Sequence, residues 1–300
     1  MMRLGIDLGG TKTEIAAIDA IGEIVLRHRV ATPKGDYRAT VEMIVALVGQ
    51  TEQQLGINNA TVGIGIPGAI SLKTGRVKNA NSTWLIGEDL LGDLQAALNR
   101  PVRIANDANC FALSETLYGS AKGASSVFGV IIGTGCGGGL VVDGKVLNGV
   151  NSIAGEWGHN PLPWKKPDEA EVPCYCGQHD CIETFLSGSG LAHRFNLDYH
   201  QAWNAQTLVQ KMRDGDSQAI DMMNRYYDWL AQGLASVINV FDPDVIVLGG
   251  GLSQISELYQ NVPARWSQWV FSDQVQTRLL APMLGDSSGV IGAAGLWHKD

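Results

Sequence analysis

The sequence predicts a two-domain α/β protein, and three observations lead to that fold class. A length of 300 residues indicates two domains at the usual size of about 100–200 residues per domain. Short apolar runs typical of strands alternate with stretches of helical periodicity. A strand, a glycine-rich turn and a second strand occur twice, near residues 4–18 and 127–142. We therefore expect two α/β domains around a cleft: residues 1–118, completed by a C-terminal helix at 287–300, and residues 119–286.

The first half of the chain opens with a predicted β-meander. Turn residues separate its apolar strands, the next segment has apolar residues at helical spacing, and the strand after it ends in a Gly-Pro loop. The predicted elements are strands at 4–8, 14–19 and 24–30, a helix at 37–54, a strand at 61–66, a helix at 90–98, a strand at 102–105 and a helix at 110–118.

The pattern then restarts in the second half. A buried strand runs into a glycine-rich turn, a segment rich in proline and charge indicates a loop, and a second buried strand enters a run of three glycines. The predicted elements are a strand at 126–132, a turn at 133–139, a strand from 140, a loop at 160–173, helices at 207–212 and 219–241, a strand at 244–248, and helices at 252–258 and 289–298. We expect the last helix to pack on the first domain.

Composition and charge exclude several classes of protein. With 45% hydrophobic residues and 17% charged residues, the chain is not intrinsically disordered. Its net charge of −8 argues against non-specific nucleic-acid binding, which needs a basic face. The acidic Asp7 precedes any apolar run that could target the chain, and the apolar stretch at 124–142 contains six glycines. We therefore expect no membrane segment and a cytoplasmic protein.

Three glycine-rich loops each follow a predicted strand, at 7–13, 133–139 and 249–251. Glycine lets backbone N–H groups approach an anion closely, because no Cβ blocks them. Asp7 cannot bind phosphate itself, but it could hold Mg²⁺ through water. None of the loops is a Walker A motif or a dinucleotide fingerprint. One such loop alone is equally consistent with a hairpin connection, whereas three of them after strands predict a nucleotide site.

Together these loops resemble the phosphate and adenosine motifs of the sugar-kinase/actin ATPase superfamily. The segments at 155–159 and 174–183 narrow the resemblance to the ROK family. It implies an actin-like ATPase fold with the active site in the cleft between the lobes, with ATP and Mg²⁺ as cofactors. The implied ATP-binding residues are Asp7, Gly9, Gly10, Thr11, Lys12, Thr13, Gly133, Thr134, Gly135, Cys136, Gly137, Gly249, Gly250 and Gly251.

The Asn106-Asp107 pair, at a strand end before a helix, is the candidate acid–base centre. Transfer of phosphate to a hydroxyl needs a carboxylate that accepts the hydroxyl proton. The same dipeptide is also a good helix N-cap. The ROK resemblance favours the catalytic interpretation, because the catalytic Asp of the family falls on Asp107. The residues implied to contact the sugar are Gly68, Asn81, Asn106, Asp107, Glu156, His159 and Glu183.

A cysteine cluster predicts a structural metal site. Cys174, Cys176 and Cys181, with His159, would complete a tetrahedral zinc shell that leaves no open position. The second ring nitrogen of His159 could then bind a sugar hydroxyl. Reduced, unligated cysteines are the alternative. Asp180 stands where many family members have glycine, and the segment between His159 and the first cysteine is longer than in many of them.

The leading functional prediction is an ATP-dependent hexose kinase that converts D-fructose to D-fructose 6-phosphate. Residues 78–85 and 156–164 resemble bacterial fructokinases of the manno(fructo)kinase type. Kinases for mannose, glucose or an N-acetylhexosamine remain alternatives on the same scaffold. A non-catalytic ROK sugar sensor or repressor is a further alternative, although only six residues precede Asp7, where such repressors carry a helix-turn-helix. The family implies a homodimer, with sugar and ATP as its small-molecule partners.

Overall fold

The computed structural model describes residues 2–298, and the chain divides into two compact units. The first unit comprises the chain up to residue 125, residues 139–154 and the chain from residue 283 onward. The second comprises residues 126–138 and 155–282. Residues 139–154 thus belong to the first unit, whereas the sequence prediction assigned them to the second domain.

Within residues 2–298 the strands form two five-stranded sheets and one two-stranded sheet. The strands are β1 (Arg3–Leu8), β2 (Lys12–Ile18), β3 (Ile24–Ala31), β4 (Thr61–Ile66), β5 (Ala69–Ile70), β6 (Val77–Lys78), β7 (Val102–Asn106), β8 (Ser126–Ile132), β9 (Cys136–Val142), β10 (Lys145–Val146), β11 (Val245–Gly249) and β12 (Arg278–Leu280). The α-helices are α1 (Tyr37–Leu55), α2 (Leu90–Leu98), α3 (Asp107–Leu117), α4 (Glu183–Leu186), α5 (Gly188–Tyr199), α6 (Ala205–Arg213), α7 (Ser217–Phe241), α8 (Leu258–Asn261) and α9 (Ser288–Gly295). Short 3₁₀ helices cover Thr83–Leu85, Gly251–Gln254, Pro263–Gln268 and Gly285–Ser287.

The first sheet has the strand order β3-β2-β1-β4-β7. β1, β2 and β3 form the predicted antiparallel meander, and β4 and β7 extend the sheet in parallel with β1. The register pairs Asp7 with Gly65 and Ile66 with Asn106. Because the carboxyl ends of parallel strands meet at one edge of a sheet, Asp7 and Asn106 lie at the same edge.

Helix α9 packs closely on this sheet, as the sequence predicted for the last helix. Gly5 of β1 and Gly63 of β4 face it, and a Cβ at these positions would lie 1.9 Å from the Val290 carbonyl oxygen and 1.8 Å from that of Ala293. No side chain fits there, so both strands need glycine for the backbones to approach. Ile291 also belongs to the apolar cluster that α9 forms with β2.

The second sheet has the order β10-β9-β8-β11-β12, with β11 parallel to both β8 and β12. The long helix α7 provides much of the core in the second unit. The Asp216 carboxylate caps it by accepting the Ala219 N–H at 2.9 Å. Its inner face buries Tyr226 and Trp229, and the Tyr226 hydroxyl donates to the Leu186 carbonyl at 2.8 Å.

Three segments differ from the sequence prediction. The turn predicted at 133–139 is shorter, because β9 already begins at Cys136. The helix predicted at 252–258 was wrong: a 3₁₀ turn at Gly251–Gln254 comes first, and α8 follows. Helix α5 was missed, since glycines in its first turn lower its helix propensity. Among residues 2–298, no helix is both long and apolar enough to cross a bilayer.

Candidate active site

The predicted acid–base pair lies where β7 passes into α3. The helix begins at Asp107, three residues earlier than predicted, and Asn106 is its N-cap. The Asn106 side-chain oxygen accepts the Ala108 N–H at 2.9 Å, and its amide donates to the Gly68 carbonyl at 3.3 Å. One oxygen of Asp107 accepts the same N–H at 2.8 Å. The N-cap interpretation therefore applies to Asn106, while Asp107 lies in the first helical turn, where the helix dipole favours a negative charge.

Asp7, near the end of β1, is a half-buried carboxyl group beside a second one. Burial is the main cause that raises the pKa of Asp7 to about 6, and the charges of Asp107 and Glu14 add to it against an opposing effect of Arg29. Gly289 also approaches this carboxyl group, since a Cβ there would lie 2.6 Å from its Oδ2 atom. Two neighbouring carboxylates at a strand edge suit a divalent cation with oxygen ligands, which would relieve their repulsion.

The first glycine-rich loop is held by hydrogen bonds from Thr32, the residue that follows β3. Gly9 N–H donates to the Lys12 carbonyl at 3.0 Å, and a Cβ on Gly9 would lie 2.7 Å from that same oxygen. Thr32 donates its hydroxyl to the Gly9 carbonyl at 2.8 Å, and its N–H donates to the Thr11 carbonyl at 3.0 Å. The Thr13 hydroxyl is buried and hydrogen-bonded to that of Thr32 at 2.8 Å, so its role in the structure is to brace the loop.

The other predicted sugar residues of the first unit lie close together in space. The Gly68 N–H donates to the Ile66 carbonyl at 2.9 Å, and the Asn81 N–H donates to the Pro67 carbonyl at 3.1 Å. Through the bond from the Asn106 amide to the Gly68 carbonyl, the structure brings Gly68, Asn81 and Asn106 together at the carboxyl end of β4 and β7.

The second glycine-rich loop connects β8 to β9 and is held by the start of α5. The Gly188 N–H donates to the Gly133 carbonyl at 2.8 Å, and the Ser189 hydroxyl donates to the Thr134 carbonyl at 2.9 Å. The Cys136 N–H donates to the Glu183 carboxylate at 2.8 Å. Burial, with the Glu183 charge adding to it, raises the pKa of the Cys136 thiol above its usual range. Cys136 therefore forms part of the frame of the loop.

The second and third glycine loops border one cavity of about 1100 Å³. Gly250, after β11, has a φ of 80° and approaches β8 so closely that a Cβ would lie 2.5 Å from the Ile132 carbonyl oxygen. Residues of α6 form another part of the wall. The lining includes Gly133, Thr134, Gly188, Ala205, Gly251, Leu252 and Ile255. Backbone amides at one side and apolar side chains at another suit a nucleotide with its phosphates and base.

The four predicted metal ligands converge in the second unit. The ligand atoms of His159, Cys174, Cys176 and Cys181 all lie within 4.8 Å of one another. His159 Nδ1 is 3.5 Å from Cys174 Sγ, and the sulfurs of Cys176 and Cys181 are 3.6 Å apart. These separations match the edges of a tetrahedron around zinc, whose bonds to sulfur are about 2.3 Å long. The donor set and its geometry therefore fit a closed structural zinc site.

His159 uses its second ring nitrogen differently from the sequence prediction. Its Nε2 atom lies 2.9 Å from the Tyr175 hydroxyl, whereas the prediction gave this nitrogen to a sugar hydroxyl. Tyr175 stands between two of the cysteines and its side chain is exposed. Sequence reasoning missed it, because a single aromatic residue inside a cysteine motif carries no recognisable spacing.

Glu183 connects the segment that carries the four predicted metal ligands with the second glycine-rich loop. Its N–H donates to the Gly158 carbonyl at 2.9 Å, one residue before His159, and its carboxylate accepts the Cys136 N–H. Glu156, three residues before His159, is exposed. Trp157 is buried and donates to the Gly137 carbonyl at 3.3 Å, which gives it a packing role.

Comparisons with known proteins agree with this arrangement. A family model described as the ROK family matches residues 3–300. N-acetyl-D-glucosamine kinase of Pectobacterium atrosepticum is 39% identical over 304 residues, which cover 100% of each chain. The enzyme of the same name from Vibrio cholerae is 40% identical, with 98% of this chain and 99% of the relative covered.

Solved structures show the same fold. A ROK hexokinase from Thermus thermophilus superposes with a TM-score of 0.87 at 28% identity, covering 99% of this chain and 97% of the other. A ROK family glucokinase from Streptomyces griseus, solved in complex with glucose and AMPPNP, gives a TM-score of 0.76 at 28% identity with 99% of each chain covered. The chain therefore belongs to the ROK family and is a sugar kinase with the actin-like ATPase fold that the sequence predicted.

Proposed function

We propose that this sugar kinase transfers the γ-phosphoryl group of ATP to a hydroxyl of N-acetyl-D-glucosamine. The observation that carries the choice of sugar is the set of full-length relatives with that name, which are 38–40% identical to the chain. The fructose predicted from residues 78–85 and 156–164 has no support among these relatives. Of the alternatives left open by the sequence, the N-acetylhexosamine kinase is therefore the one that we adopt.

Asp107 is proposed as the general base. It would accept the proton of the attacking hydroxyl while the oxygen forms a bond to the γ-phosphorus, and the bond from that phosphorus to the bridging oxygen of ADP breaks. Its position in the first turn of α3 supports this role, because the helix orients the carboxylate. Asn106, with its amide on the Gly68 carbonyl, would position the sugar beside it.

The glycine loops are proposed to bind ATP. In the second unit, the backbone of Gly133–Gly135 and Gly249–Gly251 would contact the nucleotide at the cavity that these loops border. In the first unit, Gly9–Thr11 would contact phosphate. Mg²⁺, held near Asp7 through water, would neutralise the negative charge of the phosphates. Burial is the main cause of the raised pKa of Asp7 and the charges of Asp107 and Glu14 add to it, and a cation at this point would relieve that repulsion.

A structural zinc ion on His159, Cys174, Cys176 and Cys181 is the second part of the proposal. The convergence of the four ligand atoms supports it. The ion would anchor the segment that presents Glu156 and Glu183, two residues that the family resemblance assigns to sugar contact.

A panel of sugars tests the proposed function. ADP release would be measured with N-acetyl-D-glucosamine, N-acetyl-D-mannosamine, glucose, mannose and fructose, each with and without Mg²⁺. We expect the highest kcat/KM for N-acetyl-D-glucosamine and no turnover without Mg²⁺. A higher kcat/KM for fructose would restore the prediction made from the sequence. Sugar binding without any ADP release would favour a non-catalytic sensor.

A further inference from the structure

Asp180 makes a set of contacts that none of the proposed functions explains. It directly precedes the metal ligand Cys181 and has a positive φ of 54°. Its Oδ1 atom accepts the Val172 N–H at 3.0 Å, and its Oδ2 atom pairs with the Lys165 ammonium at 2.7 Å. Its backbone accepts the Leu162 N–H at 3.0 Å. We call residues 159–181, which contain all four ligands, the metal loop. One carboxylate thus ties together both sides of this loop.

Arg194 continues the network into the protein interior. This residue of α5 is only 3% exposed. Its Nη2 atom donates to Asp180 Oδ1 at 3.1 Å, and its Nη1 atom donates to the Ala170 carbonyl at 3.1 Å. The guanidinium lies over the Phe185 ring, 3.3 Å from its centroid. A buried charged group with several fixed partners holds them in one geometry, because leaving any of them unpaired is costly.

A second anchor holds the same part of the metal loop without using Asp180. The Glu169 carboxylate is buried, accepts the Trp229 indole N–H at 2.5 Å, and accepts the Lys166 N–H at 3.1 Å. The segment 160–173, predicted as a plain loop, is therefore attached to α5 and α7 by side chains that are not metal ligands.

We propose that Asp180 is a positioning residue that keeps the metal loop in its ligand-binding shape before any ion binds. This inference rests on the proposed metal site. Because the loop is ordered by folding, ion binding does not have to supply the free energy of ordering it. The consequence is slower release of the ion and a segment 159–183 whose shape persists in metal-free protein.

Hydrogen–deuterium exchange on metal-free protein tests the proposal directly. The full chain is stripped with a chelator under reducing conditions, and peptides spanning 160–182 are followed in the wild type and in Asp180→Gly. Glycine accepts the positive φ, so this variant removes the carboxylate without straining the backbone. We expect exchange in these peptides to be about tenfold faster in the variant, the effect of losing a charge-assisted hydrogen bond. Equal exchange would overturn the proposal.

A matched control separates the carboxylate from the backbone effect. Asp143, in the turn between β9 and β10, also has a positive φ, of 47°. Asp143→Gly makes the same substitution at the same backbone conformation outside the metal loop, and it should leave exchange at 160–182 unchanged. If Asp180→Gly does not fold, Asp180→Asn decides the matter, because its amide places a donor against Lys165 or Arg194. Faster exchange of the 160–182 peptides in Asp180→Asn supports the proposal, and exchange at the wild-type rate contradicts it.

Zinc release provides a second measurement. Transfer of zinc from the loaded protein to a chromophoric chelator should be about tenfold faster for Asp180→Gly than for the wild type. Wild-type protein without zinc by elemental analysis would reject the proposed metal site and this inference with it, whereas zinc in the wild type together with equal exchange in Asp180→Gly would overturn the role of Asp180 alone. A wild-type protein that does not phosphorylate N-acetyl-D-glucosamine would contradict the proposed function. It would change neither the exchange rates nor the rate of zinc release, so the two failures are distinguishable.

Discussion

Asn106 and Asp107 are neighbours in sequence and have different positions relative to α3. Asn106 caps α3 and contacts the Gly68 carbonyl, whereas Asp107 stands in the first helical turn. Both side chains accept the Ala108 N–H, so the start of the helix fixes the direction of each of them. Two adjacent polar residues after a strand therefore provide a rigid helix start, and the second of them is the general base of the proposed function.

Replacing Asp107 with Asn should remove catalysis and keep the fold. We expect kcat for N-acetyl-D-glucosamine to fall at least about 100-fold, since a positioned base contributes about 10²–10⁴-fold. The midpoint of thermal unfolding should change little, because Asn preserves the shape and can accept the Ala108 N–H. Steady-state assays and a melting curve measure both. Asp273→Asn, at an exposed position, is the control, and near wild-type turnover of Asp107→Asn would contradict the assignment.

In the absence of ligands, ionisation of the Asp7 carboxyl group should lower the free energy of unfolding. Its pKa is about 6 in the folded protein and about 3.8 as a free group, so the folded state binds more protons between these values. The free energy of unfolding therefore falls as the pH rises through this interval, and the loss, at most about 3 kcal/mol, persists above pH 6.

Asp7→Asn provides the test. Asn resembles the protonated acid, so the variant should match the wild type near pH 4 and exceed its free energy of unfolding at pH 8 by up to about 3 kcal/mol. Urea denaturation without Mg²⁺ at several pH values measures this. The same variant should need more Mg²⁺ for activity. A stability difference that does not depend on pH would show that the carboxylate charge is not its cause.

At the level of single site residues, spacing decided what the sequence could predict. The candidate metal ligands were identified because three cysteines within eight residues form a pattern, and the structure brings them together with His159. Tyr175 and Arg194 were not identified. An exposed tyrosine and an arginine in a helix are common features, and only the three-dimensional contacts give these two residues a role.

At the scale of elements, Glu115 joins α3 to the segment that leads into α9. This carboxylate is fully buried. It accepts N–H groups of Met283 and Leu284 at 3.0–3.1 Å and the Ser120 N–H at 2.9 Å. Backbone donors at two separate turns are therefore satisfied by a single side chain, which suits an acceptor with two oxygens.

Glu115→Gln should destabilise the first unit. The amide of Gln would place N–H donors against backbone donors, and we expect a loss of about 2–3 kcal/mol in the free energy of unfolding from the unsatisfied groups. Urea denaturation measures this loss. Glu42→Gln is the control, because Glu42 is exposed and pairs with Arg38 on the surface of α1, where we expect a loss of less than about 0.5 kcal/mol. Equal losses in both variants would contradict the role of Glu115.

Elements whose apolar residues recur at a regular spacing were predicted well, and elements without such a spacing were not. The helix at 90–98 has the predicted bounds, and α1 differs by one residue. Helix α5 and the three-residue strand β12 were missed. Two glycines at the start of α5 resemble a loop, although the Ser187 cap, which accepts the Gly190 N–H at 3.0 Å, was a signal that could have been used. A three-residue strand is too short for a period to show.

At the scale of the whole molecule, the net charge argues against the alternative of a DNA-binding repressor. The net charge is −8 and the isoelectric point is about 5.2. We expect no mobility shift of duplex DNA at physiological ionic strength, because no excess of Lys and Arg is available to displace phosphate counterions. A gel-shift titration, with a basic DNA-binding protein as positive control, measures this. A shift that persists as salt is raised would revive the repressor alternative.

The close packing of α9 on β1 and β4 has a consequence for synthesis of the protein. Gly5 and Gly63 meet the carbonyls of Val290 and Ala293, so β1 and β4 are completed by a helix that is synthesised much later than they are. The second unit ends at residue 282, so all of its residues precede the helix that completes the first unit. A chain truncated at residue 285 should therefore have an N-terminal sheet that is open to proteases or chaperones.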